Sequence, residues 1–518
     1  MSVIVLVTAI GCVNKNDDNQ VQNGEIVVIQ DKTDTVIGAY NIDTLNPIAT
    51  KSKSSQRITN IIYESLFSYN EDLSIEPMLA ESYFLSQDGR GITVNLKRNV
   101  LWQDGSPFTT GDVTYTLGKI TSSDGIYSKI GKKIKNYSVS GENSVYIEFH
   151  NPEPDFAYLL TFPIISANSQ YTTDDSFVPM GTGSYKLASR TSTELYLEPF
   201  SSWHGGQPSE KKLTVKFLKD ENTATNALNV KEIDAVALES YTQDTNIPKL
   251  NATSYEITTN NMVFLGFNTA SAVMTQNVRR AIVEIVNKQK LLENNAYGKG
   301  KICSLSVNPA SWASKIPEIE HIDVDELFGN DGYKIVNGAY TKDDVVHHSS
   351  IIVNEDNPSR CKIAEGICEM LKASGMDVQV EYLSYDNYIQ RINSDSFDMF
   401  IGEIETSPNI NPGAMLDNSD NYFNFDTTYL TDAKSTLFGI AERDNIKTAL
   451  EAYQKRFYIN PPYLPLFYKN DVIIYGSYVS GITTPTLFDA YKNIENWYFY
   501  DKDGSEKLSA DKEGKTDE

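Results

Sequence analysis

Residues 77–113 read PMLAESYFLSQDGRGITVNLKRNVLWQDGSPFTTGDV, and the rest of the chain is placed by working outward from them. Gly-Ile-Thr-Val-Asn-Leu at 91–96 alternates apolar and polar side chains, the period of a half-buried strand. Gln87-Asp88-Gly89 before it is hairpin-turn chemistry, in which Gly89 supplies the positive φ. At the other end, Thr110 or Asp112 is suited to cap a helix starting near Val113. The acidic residues of the stretch therefore read as turn and cap residues, and the segment predicts scaffold rather than chemistry.

The order of these residues says more than any one of them. Pro77, Leu79, Ala80 and Tyr83 precede Asp88-Gly89; a strand then runs into Leu96, Lys97 and Val100; Trp102, Asp104, Gly105, Pro107, Thr110, Asp112 and Val113 follow. This unbroken pattern resembles the signature of the family 5 extracellular solute-binding proteins, which deliver peptides, nickel chelates and some sugars to ATP-driven importers. Tyr63-Glu64-Ser65-Leu66, Gly181-Thr182-Gly183-Ser184-Tyr185, Trp203-His204-Gly205-Gly206-Gln207-Pro208 and Phe397-Asp398-Met399-Phe400 are similar to further family segments at family spacing. The resemblance spans nearly all of residues 40–500.

What the resemblance implies is an α/β fold of the two-lobed periplasmic-binding-protein-like kind, type II, with an extra inserted subdomain and a ligand cleft between the lobes. Lobe I would comprise 25–262 and 469–502, with 48–173 as the inserted subdomain, and lobe II would run from 263 to 468. The residues themselves support one unit of it: VVHHSSIIVNED, SRCKIAEGICEMLKASGM and DVQVEYL read as strand, helix and strand, a right-handed parallel crossover. Ile58, Ile61, Ile62, Leu66 and Phe67 fall at helical spacing, and Gly181 and Gly183 read as turn glycines. Val278, Ala281, Ile282, Ile285 and Val286 make an amphipathic helix with Arg279 and Arg280 at its edge.

By the family layout, the faces that close on ligand carry Thr44, Leu45 and Asn46, the segment after strand 397–401, and Phe467 and Tyr468. In peptide-binding relatives a carboxylate soon after a Gly-Trp pair captures the α-ammonium of the peptide; here the chain reads Gly402-Glu403-Ile404-Glu405-Thr406-Ser407-Pro408, without the Trp. Alternation puts Glu403 and Glu405 on one face, with Thr406 next to them. A buried carboxylate without a partner is costly, so a cationic ligand group, a peptide amino terminus above all, is expected there. The alternative is two exposed glutamates on a loop.

Composition bounds the partners. The 518 residues carry 45 Lys+Arg against 69 Asp+Glu, a net charge of −24, which disfavours nucleic acid and anionic membrane. At the N-terminus, the apolar run VIVLVTAI at 3–10 precedes Gly11-Cys12 and a polar stretch; it is too short to span a bilayer, which takes about 20 residues. Residues 1–11 read as the end of a signal peptide, Cys12 as a lipidation site resembling a lipobox cysteine, and 12–24 as a polar tether; the alternative is a buried strand with an incidental cysteine. Residues 503–518 read as a disordered acidic tail. Contact with the membrane would then be through the lipid anchor only, at the outer face of the cytoplasmic membrane, or the protein would be periplasmic if the organism has an outer membrane.

No cofactor or metal is expected. Cys361 and Cys368 are seven residues apart on a helix, a rise of about 10.5 Å that exceeds the roughly 7 Å limit for a disulfide, and they read as core thiols. His347 and His348 point to opposite faces of a strand and read as a solvated pair. No Gly-x-Ser-x-Gly elbow or His-Glu-x-x-His is present, and no catalytic residue is assigned. The sequence thus predicts a monomeric receptor that captures peptides and passes them to ABC permease subunits. The alternatives are the same fold with a nickel chelate or another small solute such as an oligosaccharide, and, last, a secreted hydrolase. Expressed from its native start, the protein should enter the detergent phase on partitioning and Cys12→Ser should shift it to the aqueous phase; equal solubility of both forms would remove the tether.

Overall fold

The computed structural model describes residues 34–499 apart from 123, 153–155, 207, 209–210, 240–251, 297, 315–320, 409, 417–426 and 439–442. Cys12, the expected signal peptide and tether, and the acidic tail lie outside the described residues.

Two long antiparallel strands, Ala252–Phe267 and Tyr463–Gly476, organise the molecule. They belong to an eleven-stranded sheet. On one side of them stand Asp377–Leu383, His348–Asn354 and Met399–Glu405; on the other, Ala235–Leu238, Thr35–Tyr40, Leu213–Leu218, Glu194–Pro199 and Tyr185–Arg190; the eleventh, Gly300–Ile302, pairs with Tyr463–Gly476 off this order. Tyr463–Gly476 is interrupted by polar residues only at Lys469-Asn470-Asp471 and is buried at nearly every residue, whereas Ala252–Phe267 is polar over much of its first ten residues and apolar and buried from Met262 on. Their pairing changes register between Thr258 and Met262, an irregularity of the kind that bends a strand and raises its twist. Its backbone is satisfied locally: Thr259 Oγ1 donates to Lys469 O (2.9 Å), and Asn308 Nδ2 to Thr259 O (3.0 Å).

The hydrophobic core changes at the same place. Met262 through Tyr468 contribute to one continuous apolar cluster, whereas Ile257, Val472 and Ile473 pack into clusters built from residues 37–238 and the C-terminal segment. The protein is therefore two-lobed, with two strands shared between the lobes. Inside lobe II, His348–Asn354, helix Pro358–Ala373 and Asp377–Leu383 form the predicted crossover, with the two strands parallel. Asn357 caps that helix by accepting from Arg360 N, and Pro358 occupies its first turn, where a missing N–H costs nothing.

A separate four-stranded sheet contains Ala80–Leu85, Gly91–Leu96, Ser144–Phe149 and Ile134–Gly141. Gly89 has φ +65° in the hairpin, as its turn chemistry predicts. The following helix, Thr110–Ser122, starts earlier than expected, and Asp112 in its first turn accepts from Thr109 N (2.8 Å) and Ala167 N (2.8 Å).

Several expectations need correction. The helix with Ile58, Ile61 and Ile62 spans Lys53–Ile62 and stops short of Leu66 and Phe67; Phe67 opens a strand. Gly183 donates to Ile62 O at 2.9 Å, and a Cβ on it would lie 2.8 Å from Ile61 O, so close backbone approach rather than a turn requires glycine there. Arg279 is not at a helix edge but 5% exposed, its Nε donating to Pro461 O at 3.0 Å. His347 and His348 do face opposite ways, yet only His348 is solvated: His347 is buried edge-on against Phe328 and Tyr333. Cys303, Cys361 and Cys368 are free; Cys361 is half-buried, the other two buried.

Candidate functional site

Strand direction points to where a solute would bind. Glu405, the last residue of Met399–Glu405, lies opposite Asn261, and Leu238, the last of Ala235–Leu238, lies opposite Val472. The parallel strands of both lobes therefore run toward the bulged crossing with their carboxyl ends. In open α/β sheets ligands lie in the crevice outside those ends.

Along Tyr463–Gly476, Lys469 and Asp471 share a face because side chains alternate with period two. Asp471 Oδ2 is 2.5 Å from Arg57 Nη2 of lobe I, with both side chains buried (0% and 7% exposed). Lys469 Nζ is 2.9 Å from Glu403 Oε2 of lobe II, and Arg360 Nη2 is 3.4 Å from the same oxygen. One strand thus holds a charge of each lobe. Burial, the largest single influence, lowers the Arg57 pKa, but the Asp471 and Glu239 carboxylates together with Tyr491 and Tyr40 outweigh it and the pKa is raised. Glu221, which opens helix Glu221–Asn229 after strand Leu213–Leu218, is pushed up to about 7 by burial and then by the Glu239 and Asp471 charges.

Arg57 Nη1, Glu221 Oε1, Thr258 Oγ1, Asn470 Oδ1 and Arg360 Nε are buried polar atoms with no hydrogen-bond partner. All five belong to residues of the crossing or of the segments around it. Among the described residues five further such atoms, on Trp102, Thr182, His347, Ser349 and Tyr453, belong to other elements. An unmet donor or acceptor costs about 1–3 kcal/mol, so the five around the crossing would gain from polar partners once the lobes part. Among the described residues no group of three His, Cys, Asp or Glu is placed to hold a metal ion.

The expected site residues divide into three sets. Thr44, Leu45 and Asn46 are all buried (3%, 0% and 0% exposed). Their polar groups are spent internally: Thr44 Oγ1 donates to Asp174 O (2.9 Å) and Asn46 Nδ2 to Thr172 O (2.6 Å). Beside them is a pocket of about 560 Å³ lined by Asp43, Thr44, Lys51, Lys119 and Tyr171 among others. Phe467 and Tyr468 are buried too, but Tyr468 OH lies 3.2 Å from Thr406 Oγ1, and Thr406 N donates to Asn260 O at 2.8 Å. Tyr468 and Thr406 therefore meet at the crossing, whereas Thr44–Asn46 form a locked turn.

Glu403 and Glu405 share a face of their strand, as alternation predicts. Glu405 is exposed, but the side chain of Glu403 is only 14% exposed and already neutralised by Lys469 and Arg360. The expectation of a buried carboxylate lacking a partner is corrected on that point. Arg57, Arg360, Lys469 and Asp471 were missed by reading the sequence. A signal existed for three of them: Arg57 stands four residues before Ile61 on the apolar stripe of its helix, and Lys469-Asn470-Asp471 interrupts the run PPYLPLFY…VIIY.

Two lobes sharing two strands, with charged and polar side chains gathered where the strand ends of both meet, have the build of a solute-binding protein. The chain belongs to the bacterial extracellular solute-binding proteins, family 5, the binding components of ABC importers: the match to the middle region of that family covers residues 74–426. It is 23% identical over 508 residues to the oligopeptide-binding protein AppA of Bacillus subtilis, covering 90% of this chain and 91% of AppA. The glutathione-binding protein GsiB of Salmonella choleraesuis is 29% identical over 201 residues, 37% of this chain and 39% of GsiB. Among solved structures, NikZ from Campylobacter jejuni in complex with Ni(L-His) superposes with TM-score 0.65 at 20% identity, over 90% of this chain and 99% of NikZ. No helix among the described residues is long and apolar enough to cross a membrane.

The buried ion pair gives a test by replacement. Asp471→Asn leaves Arg57 buried without its counter-charge and should lower the unfolding free energy by about 3–5 kcal/mol. The double variant Arg57→Met/Asp471→Leu should recover most of that loss in urea titration, because replacing a buried pair by apolar side chains is often neutral. Equal losses in the single and double variants would mean that packing, not charge, matters there.

Proposed function

We propose that this protein captures peptides in the crevice at the lobe crossing and delivers them to the permease subunits of an ABC importer. The observation that carries the proposal is the convergence of both lobes' strand ends on one crossing where five buried polar atoms have no partner. Peptide as the solute class is supported by similarity over nine-tenths of the chain to AppA, an oligopeptide-binding protein. The function is binding without chemistry: affinity and release, rather than bond making, are what an importer needs from this component. We further propose that it acts as a monomer outside the cytoplasmic membrane, held there by a lipid on Cys12, and that lobe II runs from 263 to 468 against lobe I at 25–262 and 469–502, with 48–173 as its inserted subdomain.

Within the crevice, Glu405 is the exposed acceptor for the peptide ammonium. Glu403, held by Lys469 and Arg360, shapes the wall behind it. Thr406, Phe467 and Tyr468 close the lobe II side, while Thr44, Leu45 and Asn46, locked in their own turn, take no direct part. A second reading keeps the crevice and exchanges the peptide for a nickel chelate, the kind of ligand NikZ holds; the chelator's own groups would then carry the metal.

Calorimetry with a peptide recovered from natively purified protein separates these readings. Glu405→Gln should weaken binding by about 30-fold, the equivalent of a lost charge partner of about 2 kcal/mol. N-acetylation of the peptide should weaken the wild type comparably and the variant hardly further. If the acetylated peptide binds unchanged, the ammonium is not recognised at Glu405; if nickel chelates bind and no peptide does, the second reading replaces the first.

A further inference from the structure

Residues 304–314, SLSVNPASWAS, belong to lobe II by their packing. Leu305, Val307 and Ala313 are buried in the lobe II core. Ser304 O accepts from Tyr458 OH (2.7 Å), and Ser306 Oγ accepts from Tyr463 OH (3.0 Å). Asn308 then fixes the segment to the bulged crossing, donating to Thr259 O (3.0 Å) and Asn260 Oδ1 (2.9 Å). Beyond Asn308 the segment also reaches the other lobe, although Ala313 stays in the lobe II core and Trp312 packs against that core.

Trp312 N donates to Asp72 O at 2.8 Å, and the indole Nε1 donates to Tyr158 OH at 2.9 Å. Asp72 is in the hairpin between strands Phe67–Tyr69 and Ile75–Pro77 of lobe I. Tyr158 is 1% exposed and forms a small apolar cluster with Tyr69 and Leu73, on which Ala310 and Phe488 pack. Tyr69 stacks on Phe488 with ring centroids 4.0 Å apart. From the lobe II side, Lys447 Nζ lies 5.8 Å from the centre of the Trp312 ring.

We propose that this arm is an interlobe latch and that Trp312 is a positioning residue for ligand capture, holding the lobes closed through contacts that use no ligand group. A contact made in the closed state and lost in the open one shifts the equilibrium by its own free energy. The apparent affinity for a solute scales with the fraction of molecules that are closed, so a latch acts on every solute alike. The inference rests on the crevice reading only for its effect on affinity; its effect on shape needs no solute.

Small-angle scattering of the ligand-free protein tests it directly. Trp312→Ala should give a larger radius of gyration than the wild type. Trp312→Phe, which keeps an aromatic ring but not the Nε1 donor, should fall between them, and so should Tyr158→Phe, which removes only the accepting hydroxyl. In calorimetry, Trp312→Ala should raise Kd by about tenfold or more, by the same factor for two peptides of different sequence. An unchanged ligand-free radius in all three variants overturns the latch, whatever happens to binding. A factor that differs strongly between the peptides overturns it too, because Trp312 would then be touching ligand. Expansion of the variants in a protein that binds no peptide at all leaves the latch standing and removes the proposed function instead.

Discussion

Lys469 and Asp471 occupy one face of a single strand and reach in opposite directions, the lysine to Glu403 of lobe II and the aspartate to Arg57 of lobe I. Each lobe is thereby tied to the same few residues by charge as well as by backbone hydrogen bonds. Breaking a buried ion pair is strongly unfavourable, while the pair itself adds little net stability over apolar packing. Such a pair specifies geometry more than it stabilises. The geometry it specifies is that of the crossing, where the register shifts, the core changes from one lobe to the other and the parallel strands of both lobes end.

The same few residues reconcile rigidity with motion. A two-stranded connection bends easily at a bulge, and the bulge here has its backbone satisfied by Thr259 and Asn308 side chains, so bending there exposes few unmet groups. The lobes on either side are close-packed: Trp102, Tyr185 and Trp497 are almost fully buried in one, Tyr453, Tyr463 and Tyr468 in the other. Packed cores transmit displacement rather than absorb it. Closure is therefore expected as rotation of two rigid bodies about residues 258–262 and 468–471, and the polar atoms left unpaired at that line give a solute something to gain by entering.

Much of this fold is written locally and was legible. The alternation of 91–96, the turn at Gly89 and the strand, helix and strand of 348–383 each follow from a period or a turn residue a few positions away, and the structure contains them. What was not legible depends on partners remote in sequence. Arg57 and Asp471 are 414 positions apart, and nothing near either announces the other. Glu403 looked like a carboxylate in need of a cation because its partners stand on a different helix and a different strand, brought together only by the crossover and the long crossing strand. Arg279 and His347 failed in the opposite sense: polar residues on regular elements read as solvated, and tertiary packing buried them beside acceptors and aromatic rings that periodicity does not reveal.

Solute is expected to enter at the crossing rather than in the pocket of about 560 Å³ near Lys51, Lys119 and Tyr171. Hydrogen–deuterium exchange, with and without a peptide recovered from natively purified protein, distinguishes the two. Protection should concentrate in residues 256–262, 403–408 and 466–472, with amides at 43–51 and 119–124 little changed. Protection confined to 43–51 and 119–124, with exchange at the crossing unaffected, would contradict the account.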